Sequence, residues 1–420
     1  MLDGYSAKHF ARAFKKNDIQ RFQLSGIEVE AFFKELVQRC QSNKFSINGL
    51  KISKDKKIHY IHNDYPHEHL MARHCSNILI NLHNVSIPDR KNLITLLTNI
   101  IKDSLKTNYI SIHRFDIKSF YESIKFHNVE HIINDSRLEG SIRTTLKSLY
   151  RNKNKLFRGV SVTAVLSEIY MKEFDYRMKS NKNVLYFFRY VDDIVLIVKE
   201  GVNEKEVLNL VESNLPDDLQ LNNNKHSYVI IKNNMILTQK CEKRISSGVY
   251  FPSKLQNECF IDFLGYKFIF IIKDKIEVEV GISEVKKSLI KKKVLRSFFK
   301  YGKENDFNML VCRLNYLCSN VRILSSRRLY SGIYYNYPLI DFDINKKCGA
   351  GYKDLCDIDN FIKSIIYSSN KHPAVRGINF NKQQITELKK ISIISGFNDK
   401  RILKLSNEKI SKIKGAWYNV

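Results

Sequence analysis

The spacing of apolar positions changes along the chain, and each change marks a different kind of element. Near the start, Val29, Phe32, Phe33, Leu36, Val37 and Cys40 recur at helical spacing, and Asn48-Gly49 lies between two short alternating runs, the pattern of a hairpin. Pro66 can open a helix carrying Leu70, Met71, Ile78 and Leu79, and Pro88 one carrying Leu93, Leu96, Leu97 and Ile100. From Tyr109 to about Tyr266 the texture is strand-like: Tyr109 to Phe115, Val184 to Tyr190, Ile194 to Val198, Val229 to Ile231 and Phe260 to Phe270 are apolar runs alternating with helical segments. After Ile282 the chain returns to helical patterns and stays mostly helical to Val420. No internal repeat and no long Gly/Ser-rich or Pro-rich linker interrupts this order. The pattern predicts an α+β protein of closely packed lobes, changing in texture near Tyr109 and near Ile282.

Composition narrows the partners. Lys and Arg number 70 against 43 Asp and Glu, a formal net charge of +27 spread along the whole chain. Such a surplus suits an extended anionic partner, and nucleic acid is the leading one. No apolar run is long enough to span a bilayer, and Met1 to Lys16 lacks a signal-peptide pattern, which predicts a cytoplasmic protein with no membrane partner. The eight cysteines form no C-x-x-C pair, so neither a zinc ribbon nor a redox motif is indicated. Cys312, Cys318, Cys348 and Cys356 lie near one another in sequence but lack ligand spacing.

Candidate chemistry lies in three aspartates. Phe187 to Val198 consists of two apolar runs flanking Asp192-Asp193, which reads as a β-hairpin with charge at its tip. Adjacent carboxylates on a tight turn repel each other, an arrangement that makes sense if a divalent cation neutralises them. Ile112 to Tyr121 places Asp116 at the end of an apolar strand just before a helix. Together the three aspartates suit a cage for two Mg²⁺ ions about 4 Å apart, with Mn²⁺ as a substitute.

These segments resemble the motifs of reverse transcriptases, in the family's order. Phe115-Asp116-Ile117-Lys118-Ser119-Phe120-Tyr121 is similar to motif A, Phe157 to Glu168 to motif B, and Tyr190-Val191-Asp192-Asp193 to the Y-x-D-D of motif C. Leu221-Asn222-Asn223-Asn224-Lys225 resembles motif D, and Phe263-Leu264-Gly265-Tyr266 the F-L-G primer grip. The resemblance implies a right-hand polymerase: an N-terminal helical region with fingers over 1–108, a palm with an antiparallel sheet and fingers elements over 109–282, a helical thumb over 283–340, and a helical C-terminal extension. It also implies catalysis and metal binding by Asp116, Asp192 and Asp193, with the Ile117 carbonyl as a further ligand.

By the same resemblance Tyr121 would stack under the incoming sugar and select dNTPs. Gly159 would let the backbone approach the nascent base pair, and Lys225 would protonate or screen pyrophosphate. Arg73 and Arg90, on the two N-terminal helices, are candidates for clamping the triphosphate. Arg158 stands where the family commonly has Gln, and Thr163-Ala164 where it has Ser-Pro, which implies unusual template handling. This form of motif B, the opening Tyr5 to Phe10 and the segment Ser331 to Pro338 resemble bacterial antiphage reverse transcriptases, most closely the shorter polymerase of the type 3 systems. That group implies a noncoding RNA template, a DNA product, and a second, longer reverse transcriptase in a higher-order oligomer.

A basic run, Lys286, Lys287, Lys291, Lys292, Lys293 and Arg296, falls where a thumb would follow the F-L-G motif, and its contacts to phosphate would be independent of sequence. The competing reading is a solvated helix face. No ribonuclease H carboxylate set and no H-N-H or zinc nuclease ligands are evident. The alternatives are a group II intron or retron polymerase, untemplated nucleotide addition, and an RNA-binding scaffold with a vestigial site.

Overall fold

In a computed structural model of the chain, the structure describes residues 6–15, 17–24, 28–41, 45–53, 58–107, 109–232, 235–240, 258–272, 275–324, 329–367 and 377–417. Tyr5 of the opening motif and Cys241 lie outside the described residues. The strands in chain order are β1 Leu50–Ile52, β2 His59–Ile61, β3 Tyr109–Asp116, β4 Val184–Tyr190, β5 Asp193–Val198, β6 Ser227–Lys232 and β7 Met235–Lys240. They continue as β8 Glu258–Phe263, β9 Tyr266–Ile272, β10 Ile276–Ile282, β11 Asn320–Leu324, β12 Leu329–Gly332 and β13 Ile402–Leu403. Helices fill most of the remainder, so the fold is mixed, with mainly antiparallel pairing.

The chain divides into two compact units that each use separated stretches of sequence. One draws its described residues from Met1–Asp89 and Phe115–His226, the other from Arg90–Arg114, Ser227–Lys240 and Ile245–Val420. In the first unit the helices Glu28–Gln41, Pro66–Leu82, Gly140–Leu149 and Ser161–Tyr170 turn their apolar faces into one core, with Leu36, Leu70, Met71, Val162 and Leu166 fully buried. Pro66 occupies the first turn of its helix, where a missing N–H costs nothing. The β4–β5 hairpin pairs in register from Tyr190↔Asp193 outward, and all of Ile194 to Val198 is buried.

In the second unit β3 pairs with β6 from Tyr109↔Lys232 to Arg114↔Ser227, and β6 pairs with β7. β8, β9 and β10 form a separate meander. The helix Ala350–Tyr367 packs on β10 and buries Leu355, Ile358 and Ile362. The helix Glu284–Glu304 packs on this helix and on Phe307–Cys318.

Three local expectations are corrected. Asn48-Gly49 is not the hairpin turn: the hairpin joins β1 to β2, and the Asn48 and Gly49 amides instead donate to the buried Glu68 carboxylate at 3.0 and 2.8 Å. The second proline-led helix opens at Arg90, beyond Pro88. Phe260 to Phe270 is not one strand, because Leu264 and Gly265, with φ of 49° and 83°, make the two-residue turn between Phe263 and Tyr266. The mostly helical C-terminal part also holds three short strands: β11 pairs antiparallel with β12 and parallel with β13, tying 402–403 to 320–321.

His69 provides a test of this packing. It lies nearly buried under the ring of Phe22, and burial followed by Arg21 and Arg73 pushes its pKa down to about 4. The folded imidazole stays neutral where an unfolded one takes up a proton, so its contribution is complete above about pH 6.5 and declines as pH falls toward 4. Urea denaturation should show that His69→Gln removes up to about 3 kcal/mol of the acid-side loss of stability between those limits.

Candidate active site

The three aspartates belong to the first unit, where backbone bonds bring the end of β3 to the β4–β5 turn. The Ile117 N–H donates to the Asp192 carbonyl at 3.0 Å, and the Asn222 N–H donates to the Asp116 carbonyl at 2.7 Å. Lys118 N–H to Gln220 carbonyl, at 2.9 Å, completes the attachment of 116–118 to the segment that carries Lys225. Asp116 and Asp192 are therefore neighbours although 76 positions apart in sequence (192 − 116). Ile117 is buried, with its N–H committed to Asp192.

Electrostatics at this point are unbalanced. Asp116 is 6% exposed, and its carboxylate accepts from Lys225 Nζ at 2.8 Å and Asn222 Nδ2 at 3.3 Å. Burial, then Asp193, raise the pKa of Asp192; its own amide opposes them, and Asp116 and Lys225 add smaller effects of opposite sign. Among the described residues no group of three or more His, Cys, Asp or Glu side chains is arranged as a cation site. The expected cage is thus not preformed, since Lys225 holds Asp116. The donor chemistry nevertheless fits magnesium: Asp116 and Asp192 offer hard carboxylate oxygens from adjoining backbone, and the negative charge of Asp193 and Asp116 raises the pKa of Asp192.

Tyr121 is half-buried beside this charge. Phe120 turns into the core at 2% exposed, and the Tyr121 ring meets it edge-on at 5.2 Å. Burial, then Glu168 and Asp192, push the Tyr121 hydroxyl up to about 12, so it stays protonated. Arg158 makes a bidentate pair with Glu122 at 2.7 and 2.9 Å. Both line an open cleft of ≈ 960 Å³ with Ser119, His59, Phe157, Lys153 and Lys155. Gly159 has φ +109°, and a Cβ there would lie 2.2 Å from the His59 carbonyl oxygen. The glycine is required by close approach of β2, whose His59 N–H donates to the Arg158 carbonyl.

Other expected site residues are engaged elsewhere. Arg73 forks onto the buried Asp18, with Nη2 to Oδ1 at 3.0 Å, and also donates to the Ala13 carbonyl, so it offers no free guanidinium to a triphosphate. Arg90, in the second unit, donates to the carbonyls of Leu264 and Asn336 and lies over the rings of Tyr266 and Tyr337. It fixes the Phe263-Leu264-Gly265-Tyr266 turn, whose Phe263 and Tyr266 side chains are core. On the helix Glu284–Glu304, Lys287 is buried against Asp354 at 2.6 Å and Lys291 meets Asp357 at 2.8 Å. Lys293 lies over Trp417. Lys286, Lys292 and Arg296 are exposed.

Two residues were given no role by sequence. Arg189 is buried between Glu168 and Asp175, and Asn222 touches Asp116 through both backbone and side chain. A lone arginine within the apolar run Phe187 to Val191 was the available signal for the first, since a buried cation requires anionic partners.

No known protein family matches the chain, and no curated protein matches it. Among solved structures, apo telomerase from Candida tropicalis truncated from its C-terminal domain aligns over 50% of this chain and 45% of its own, at 15% identity and TM-score 0.34. Telomerase from Candida albicans, in complex with a TWJ fragment of telomeric RNA, aligns over 83% and 56% at 13% identity and TM-score 0.31. Apo telomerase from Candida tropicalis aligns over 82% and 56% at 12% identity and TM-score 0.36. The chain spans about half the length of these telomerase chains. Likenesses of this strength assign it no activity.

If Arg73 is a structural tie, Arg73→Met should lower unfolding free energy by about 3 kcal/mol in urea, because it strands the buried Asp18. Its effect on dNTP KM should be negligible. A raised KM with unchanged stability would return Arg73 to the triphosphate.

Proposed function

We propose that the protein is an RNA-directed DNA polymerase. The observation that carries this reading is the backbone bond from Ile117 to Asp192, which sets Asp116 beside the Asp192-Asp193 turn. Asp116, Asp192 and Asp193 would hold two Mg²⁺ ions, with Mn²⁺ as a substitute. Magnesium bound there supplies a lowered pKa at the primer 3′-hydroxyl and neutralisation of the triphosphate. Asp116, nearly buried, is anchored by Asn222, while the half-exposed Lys225 can swing from it toward the charge of the departing pyrophosphate. Tyr121, half-buried against the core beside Phe120, would be the platform for a sugar without a 2′-hydroxyl. Arg158 and the basic and aromatic side chains of the adjoining cleft suit a nucleic acid strand.

The finer assignment rests on the sequence motifs: a palm, fingers and thumb, a noncoding RNA template, a DNA product made from dNTPs, and a role in bacterial antiphage defence beside a longer polymerase. A bacterial cytoplasmic location belongs to the same reading. No helix among the described residues is long and apolar enough to cross a membrane.

Primer extension with the purified chain, Mg²⁺, dNTPs and its copurifying RNA tests the activity. Asp192→Ala should reduce extension by at least about a thousandfold. Equal product from wild type and variant would instead favour an RNA-binding scaffold. For the basic helix, neutralising Lys286, Lys292 and Arg296 together should reduce the slope of log affinity for RNA against log salt by about 2 to 3. An unchanged slope would make that face merely solvated.

A further inference from the structure

The turn that carries Asp192 is strained. Tyr190 pairs with Asp193, leaving Val191 and Asp192 as a two-residue hairpin loop, and Val191 has φ +58°. A β-branched side chain in the left-handed region is a genuine outlier, since a glycine is preferred at the first position of such a loop. Something else must hold the backbone there.

Arg189 is that group. It is nearly buried, its side chain 3% exposed, and each of its five N–H donors has a partner. Nε and Nη2 bond the two oxygens of Asp175 at 2.6 and 2.8 Å, and Nη1 and Nη2 bond those of Glu168 at 3.1 and 2.7 Å. The remaining donor on Nη1 bonds the Val191 carbonyl at 3.1 Å. Two carboxylates thus fix the guanidinium plane, and the guanidinium fixes one peptide group. That peptide joins Val191 to Asp192, and its N–H opposes the rise in the pKa of the Asp192 carboxylate. Asp192's own carbonyl is held on the other side by Ile117.

We infer that Arg189 is a positioning residue, which keeps the strained Val191-Asp192 peptide in the orientation that presents the Asp192 carboxylate beside Asp116. Glu168, on the helix Ser161–Tyr170, and Asp175, on the helix Lys172–Ser180, transmit the position of those helices to the turn. Lysine is a poor replacement, because a point charge cannot satisfy two carboxylates and a carbonyl in one plane.

The functional consequence rests on the polymerase reading, so the test has two readouts. Arg189→Lys is compared with its parent in the Val191 chain and again in a Val191→Gly chain, where the left-handed backbone needs no support. In the Val191 chain the substitution should lower kcat of single-nucleotide extension by about tenfold or more with dNTP KM changed less than about threefold. In the Val191→Gly chain it should lower kcat less than about threefold. Hydrogen exchange of the Asp192 amide should accelerate by a similar factor in the first pair and hardly at all in the second. Equal effects in both chains would mean that Arg189 serves packing alone and would overturn the inference. If Arg189→Lys does not fold, Glu168→Gln takes its place under the same criteria. If the wild type extends no primer, the polymerase reading fails, and the exchange comparison decides the positioning role by itself.

Discussion

The site depends on placing acidic side chains where water is scarce without letting them push the local fold apart. Carboxylates near one another and partly desolvated favour protonation or separation. Here separation is prevented by the backbone: Ile117 binds the Asp192 carbonyl, and Asn222 binds the Asp116 carbonyl, so the main chain rather than the side chains sets their spacing. The charge is then relieved unequally. Asp116 has Lys225, whereas Asp192 has only the weaker influence of that lysine and of its own amide. On the proposed reading, a cation bound there would relieve repulsion already present, without needing a finished cage.

The large basic surplus has to be divided before it can argue for a polyanionic partner. Arg73, Arg189, Lys287 and Lys291 face carboxylates of the same chain, three of them well buried or nearly so, and Arg90 is occupied by carbonyls and tyrosine rings. These cations organise the protein. Such ties are sensitive to loss of one partner, far more than to loss of both, because an unpaired buried charge is costly. The cations that can reach phosphate are those without such duties, including Lys286 and Lys292 on the outer face of their helix and the lysines of the cleft beside Arg158.

Sequence patterning was most legible where the pattern is itself a constraint. Two apolar runs flanking Asp192-Asp193 leave little besides a hairpin, and β4 and β5 lie within a residue of that expectation. The turn at Leu264-Gly265 escaped because Leu264 continues the apolar run while its φ of 49° breaks the strand. The short β13 escaped because two residues carry no period, and its partner β11 lies far away in sequence. The Arg73–Asp18 pair was illegible for a similar reason: Asp18 has no fixed spacing from Arg73, so only folding reveals that the pair is internal.

The strained turn bears on whether the site is in use or vestigial. A scaffold that had lost catalysis would retain its apolar core, because folding requires it. Val191 at positive φ is different: it lowers stability, and a glycine would relieve it. Holding it against that cost takes a buried arginine with all five donors engaged and two carboxylates drawn from neighbouring helices. Folding alone gives no reason to assemble so many buried charges around one unfavourable peptide. Keeping the Asp192 side chain at one orientation, the role inferred for Arg189, is what the proposed metal-binding centre would require of this turn.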